Sequence, residues 1–102
     1  MGFQWDPGKD AINQAKHLIG FRQAVEIFRD FVLTREDTRR AYGEPRFIAL
    51  GEYDQVVLSV VYTPRGDDIR IISAWRAGRH DRETDIQDRD LRNRDDGAIR
   101  QP

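Results

Sequence analysis

Ile69-Arg70-Ile71-Ile72-Ser73-Ala74-Trp75-Arg76-Ala77 is the stretch on which the fold turns. It is rich in β-formers and reads as a buried strand carrying arginine at intervals. Strict alternation puts Ile69, Ile71 and Ser73 on one face and Arg70, Ile72 and Ala74 on the other. Arg70 therefore emerges beside an aliphatic residue, a position that costs desolvation unless the guanidinium meets a carboxylate or a bound anion.

Two more β-rich runs precede this one, residues 46–50 and 56–63. They are separated by Gly51-Glu52-Tyr53-Asp54 and, after the second, by Pro64-Arg65-Gly66-Asp67-Asp68. Turns this short imply an antiparallel meander. Residues 56–61 are apolar at both parities, as in a central strand. Val32-Leu33-Thr34 reads as a further short strand, followed by a polar loop over 35–43.

The N-terminal part has a different period. Phe3-Gln4-Trp5 reads as a strand, and Asp6-Pro7-Gly8 ends it, with Asp6 as N-cap and Pro7 at the first helical position. A helix over 7–17 would bury Ala11, Ile12 and Ala15. A second, over 21–31, carries Phe21, Ala24, Val25 and Phe28 at helical spacing, widened by Ile27 and Phe31. After Arg76 the chain permits a weak helix, and beyond Asp85 it is a run of mixed charge expected to fray or be disordered. The pattern is α+β: two N-terminal helices packed on one face of a mainly antiparallel sheet, the other face open. One domain is expected over residues 1–80, with a charged tail, partly helical or disordered, over 81–102.

Composition narrows the chemistry. A chain of 102 residues supports one core. Its formal charge of −1 announces no nucleic-acid partner by itself, although a local cluster could serve. With no cysteine and two separated histidines, thiolate sites are excluded and no metal or other cofactor is expected. No apolar run approaches a membrane span and the start is not that of a signal peptide, so a cytoplasmic location is expected.

The basic residues are nearly all arginine, whose planar fork suits phosphate as well as carboxylate. Arg46 shares a face with Ile48 and Leu50, as Arg70 does with Ile72. Arg46, Arg70 and Arg76 could converge as a phosphate clamp, or Glu44 could simply pair with Arg46 or Arg70 across the sheet. His17, after Lys16 at the end of the first helix, either complements the helix dipole or acts as a general acid or base. Trp75 and Tyr62 could stack an unpaired base or belong to the core.

These residues in this order resemble the BrnT family of bacterial type II toxins, small ribonucleases with a RelE-like fold. The resemblance runs through Phe3-Gln4-Trp5-Asp6-Pro7-x-Lys9, Asn13-x-x-Lys16-His17, Phe21-x-x-Ala24-x-x-x-Phe28-x-Asp30, Gly43-Glu44-x-Arg46-Phe47 with Gly51, Val60-Val61-Tyr62-Thr63, and the opening stretch from Ile69 to Ala77. It implies an mRNA-cleaving toxin held inactive by a ribbon-helix-helix antitoxin of the BrnA kind, the pair together binding operator DNA. The family's polar positions fall on Lys16, His17, Glu44, Arg46, Arg70 and Arg76. Two places depart from it. The helix junction is Lys-His-Leu-Ile-Gly-Phe where the family usually has Lys-His-Gly-Val-Ser-Phe, and Asp81 and Asp85 stand where the family's terminal helix has Glu and Tyr.

The expected activity is metal-independent RNA cleavage. His17, Glu44, Arg46, Arg70 and Arg76 would form the catalytic set, and Lys16 and Trp75 would hold substrate. Two rivals are a catalytically inactive module that only binds antitoxin, and a toxin of the same fold with a target other than RNA.

Overall fold

Turn chemistry lays out the sheet. The computed structural model describes residues 1–79 and 81–83. Strands β3 (Phe47–Tyr53) and β4 (Val56–Arg65) are joined by Asp54 and Gln55, both at positive φ (52° and 65°). That is the paired left-handed geometry of a type I′ turn, whose twist matches the strands it joins. Between β4 and β5 (Asp68–Arg76) the first turn residue is Gly66 at φ 61°, here a glycine at the position that needs positive φ. With β1 (Phe3–Trp5) and β2 (Leu33–Glu36) the sheet has the order β1-β5-β4-β3-β2, parallel only between β1 and β5. The α+β architecture and the central position of the 56–61 run are as the sequence implies.

On one face, Phe21, Ala24 and Ile27 pack on Ala49, Leu58, Val60, Ile71 and Ala74. The second helix differs from its expected form. It is α-helical only over α2 (Phe21–Ala24) and continues as a 3₁₀ helix over Val25–Arg29. The buried residues explain this. Phe21, Ala24 and Ile27 are fully enclosed, while Val25 and Phe28 are only partly so. A stripe at i, i+3, i+6 is the period of a 3₁₀ helix, in which those side chains eclipse. The tight packing also dictates Gly51, because a Cβ there would lie 2.9 Å from both Ile27 Cβ and Val32 Cγ1.

Helix α1 (Pro7–His17) is capped as expected, with Gly8 N donating to Asp6 Oδ1 at 2.8 Å. Its buried face is not the expected one. Ala11, Ile12 and Ala15 are exposed, and Asn13 is the residue it buries. The reason is where the helix sits. Strand β1 covers β5 only as far as Ile71, so beyond it the β5 edge offers unpaired backbone rather than apolar surface. Asn13 takes over from β1: its Nδ2 donates to Ala74 O (2.8 Å) and its Oδ1 accepts from Ala74 N (3.1 Å). One amide side chain thus completes the ladder that the short strand leaves open. Nearby Asp10 accepts a hydrogen bond from Phe21 N at 2.8 Å, fastening α1 to α2.

Leu18 closes α1 in the left-handed region, at φ 59°, with its N–H donating to Gln14 O. A branched side chain pays roughly 1–2 kcal/mol to sit there, and a glycine does not. The family junction quoted above carries Gly at this place. Replacing Leu18 with Gly is therefore expected to stabilise the fold by about 1 kcal/mol. Urea denaturation would show it, and a lower midpoint would contradict the strain.

Strand β5 breaks its own alternation. Val61 pairs with Ser73 but Tyr62 pairs with Ile71, leaving Ile72 as an extra residue in a β-bulge. Past the bulge the parity flips, so Ile71 and Ala74 both face the helices. Arg70 and Arg76 would share a face in an unbroken strand, and the bulge puts them on opposite faces.

The second face is not left open. Ala77, just past β5, packs with Leu50 and Val57, with Leu33 alongside. Its N–H donates to Val57 O at 2.9 Å, and Asp81 comes within 4.0 Å of Arg35 on β2. A helical turn starts there, with Arg82 N donating to Gly78 O. His80 and the tail from residue 84, including Asp85, lie outside the described residues. Among the described residues no helix is long and apolar enough to cross a membrane.

Candidate active site

The far end of the second face holds a hollow of about 400 Å³, within the range of small-ligand sites. Val61, Ile72 and Ser73 form its floor and Trp75 one wall, with Lys16, His17, Arg39 and Arg46 around it. The bulge builds part of this site, since it turns both Ile72 and Ser73 toward the same side. Helix α1 supplies the rest. Fastened to the β5 edge by Asn13, it ends with Lys16 and His17 at the rim, and the His17 ring lies 6.3 Å from that of Trp75.

The loop between β2 and β3 delivers the arginines, and its organiser is Asp37. This carboxylate is fully buried and accepts from Arg39 Nε (2.8 Å), Arg39 Nη2 (2.9 Å), Arg39 N (3.2 Å) and Tyr42 Oη (3.1 Å). Those hydrogen bonds, the Arg39 side chain first, outweigh the cost of burial and hold Asp37 far below the usual carboxylate range. The same pairing raises Arg39 further above its already high value. Held in this way, the Arg39 guanidinium stands 5.5 Å over the Trp75 ring.

Arg46 is fixed from two sides. Its guanidinium lies 4.1 Å over the Tyr42 ring, and its Nε is 3.3 Å from Glu44 Oε2. The other Glu44 oxygen takes Arg65 Nη2 at 3.2 Å. The loop closes through Asp37 N, which donates to Arg46 O at 2.7 Å. Among the described residues no carboxylate lines the hollow itself, and the charged side chains that do are Lys16, Arg39 and Arg46.

Of the residues expected to act together, Lys16, His17, Arg46 and Trp75 meet here. Glu44 stands behind Arg46, occupied by two guanidiniums. Arg70 shares the face: it opposes Thr63 on β4, whose Oγ1 donates at 2.6 Å to the carbonyl of Pro45, the residue before Arg46. Arg70 makes no ion pair among the described residues and does not line the hollow. Arg76 does not converge with the others. It opposes Leu58 on the helix face and borders a separate hollow with Leu18 and Ile19. Tyr62 is not free to stack a base, being packed between Phe28 and Phe47 at 5.4 and 5.6 Å.

Sequence reasoning missed Arg39, Asp37 and Tyr42, all inside the segment read as a polar loop. The available signal was Asp37-x-Arg39, a spacing that lets an Asp side chain accept the backbone N–H two residues on. Among the described residues no three His, Cys, Asp or Glu side chains gather as a metal site.

Comparisons with known proteins identify the family. Residues 5–81 match the family model described as the ribonuclease toxin BrnT of type II toxin–antitoxin systems. Among solved structures the chain is similar to the Brucella abortus ribonuclease toxin BrnT. The two are 27% identical, with a TM-score of 0.60 over 78% of this chain and 99% of that one. No curated protein matches it.

Proposed function

The chain belongs to the BrnT family of ribonuclease toxins of type II toxin–antitoxin systems, and on that premise we propose that it cleaves mRNA without a metal ion in the hollow beside Trp75. The observation that carries this reading is the meeting of one imidazole and three cationic side chains around an indole face, with no carboxylate among them. A cationic, partly apolar hollow suits an unstacked nucleotide: the base lies on Trp75 and the phosphate meets Lys16, Arg39 and Arg46.

The reaction follows from the groups available. The ribose 2′-hydroxyl loses its proton and its oxygen bonds to the adjacent phosphorus. The P–O5′ bond breaks, and a proton returns to O5′. The products are a 2′,3′-cyclic phosphate and a 5′-hydroxyl. Arg46 and Arg39 stabilise the charge that grows on the non-bridging oxygens, the part a metal ion would otherwise play. His17 is the better placed of the two proton-transfer candidates, because it lines the hollow while Glu44 is held by Arg46 and Arg65. In this reading Glu44 orients Arg46, and Arg70 extends the cationic face toward the next phosphate along the strand. The toxin domain spans residues 1–80. Its antitoxin is of the ribbon-helix-helix type, and the complex of the two binds operator DNA.

The test is incubation of the purified chain, free of antitoxin, with single-stranded RNA in EDTA. Cleavage to cyclic-phosphate and 5′-hydroxyl ends, suppressed by a ribbon-helix-helix antitoxin, is the expected result. Cleavage that stops in EDTA and returns with Mg²⁺ overturns the metal-free mechanism. Intact RNA under all conditions favours the inactive antitoxin-binding module.

A further inference from the structure

We infer that Asp37 is a positioning residue for this site, acting on the substrate phosphate through Arg39 and, by way of Tyr42, through Arg46. The inference rests on the reading of the hollow as the RNA site and adds a residue that touches neither the hollow nor the substrate.

The geometry is that of a hub. Asp37 directly follows β2, with its side chain wholly out of solvent. A buried carboxylate is costly to keep unless its lone pairs are filled. Here three of the four hydrogen bonds come from Arg39, which lines the hollow, and the fourth from Tyr42, whose ring lies against Arg46. Arg39 grips it with two side-chain nitrogens and its own backbone N–H, a forked contact that fixes the plane of the guanidinium as well as its position. That plane is what places Arg39 over Trp75. Tyr42 donates its hydroxyl to Oδ2, the oxygen that also accepts from Arg39 Nη2, and lays its ring under Arg46. The backbone of Asp37 holds Arg46 directly, through its N–H to Arg46 O.

The exposure pattern argues against a purely structural ion pair. Asp37 is buried, but the Arg39 side chain is 56% exposed. A pair kept for stability alone gains little from an arm that faces water. The exposed arm retains N–H donors directed away from Asp37, available to a phosphate oxygen arriving in the hollow. Without the carboxylate, two long arginines in a loop would have to be ordered by substrate during the reaction, and the rate would fall by the cost of that ordering.

The experiment compares Asp37→Asn, Arg39→Ala and the double variant of the full chain. Four quantities are read: kcat and KM on an RNA oligonucleotide, affinity for the uncleavable 2′-deoxy analogue, and thermal stability. Asp37→Asn keeps the size of the side chain and removes its charge. It is expected to lower kcat about tenfold to 10²-fold at a temperature where the variant is folded, with KM changed far less. The double variant is expected to lose less than the product of the two single losses, because the residues act in series. Multiplicative losses, or a lower melting temperature with kcat unchanged, overturn the positioning role while leaving the ribonuclease reading intact. If the wild-type chain neither cleaves RNA nor binds the analogue, both readings fall together.

Discussion

Replacing His17 with Ala is expected to reduce kcat for RNA cleavage by about 10²–10⁴-fold, the usual contribution of a positioned proton-transfer group. The chain should remain folded, since His17 is the last residue of α1 and the helix is anchored upstream by Asp10 and Asn13. His17 is the one imidazole among the described residues that line the hollow, and no carboxylate among them can take over proton transfer. Multiple-turnover cleavage of a fluorogenic RNA oligonucleotide, with circular dichroism to confirm folding, measures the effect. A folded His17→Ala variant that retains wild-type kcat would remove proton transfer from this residue and pass it to Glu44.

Arg46→Ala is expected to cost about 10²-fold or more in kcat, as removal of a preorganised charge-stabilising donor does. The accompanying Arg46→Lys variant is informative because it keeps the charge. Lysine cannot lie flat on the Tyr42 ring or offer a fork to the phosphate, so most of the loss should persist. Arg76→Ala, on the opposite face of the sheet, should cleave at the wild-type rate. If Arg76→Ala were inactive and Arg46→Ala active, the hollow beside Trp75 would be the wrong site.

Arg76 also shows how much of the site could be read from the residues. Alternation correctly put Arg46 with Ile48 and identified the 56–61 run as central, because β3 and β4 are regular from end to end. It failed on β5, where one extra residue at Ile72 inverts every side chain after it. Nothing in Ile71-Ile72-Ser73 marks a bulge: there is no glycine or proline, only two isoleucines of which one fits the ladder. The clamp of three arginines was an extrapolation across that bulge.

The helices failed for a related reason. Ala11, Ile12 and Ala15 were assigned to the core because a surface helix normally buries its apolar side. Helix α1 docks on a strand edge, where the need is for hydrogen bonds, and it buries Asn13 instead. In α2 and the 3₁₀ helix after it, spacings of 3.0 and 3.6 residues select overlapping sets of residues, so the apolar pattern does not separate the two. The loop over 35–43 looked merely solvated. That one of its carboxylates would be buried depends on Arg39 and Tyr42 folding back onto it, a tertiary arrangement that charge pattern does not encode. Residue type was more legible than geometry: Lys16, His17, Arg46 and Trp75 stand out in the sequence, and the fold is what brings them to one hollow.

Fluorescence of Trp75 tests the location of the site most directly. Trp5 packs edge-on against Phe21 in the core, so a Trp5→Phe chain leaves Trp75 as the sole indole reporter. Titrated with single-stranded 2′-deoxy-substituted RNA, which binds but cannot form the cyclic phosphate, this chain should show saturable quenching as a base stacks on Trp75. The signal should weaken when Arg39 or Arg46 is replaced by Ala. Saturable binding by an independent measure, with the Trp75 emission unchanged, would mean that RNA occupies some other surface and that the hollow is not where cleavage takes place.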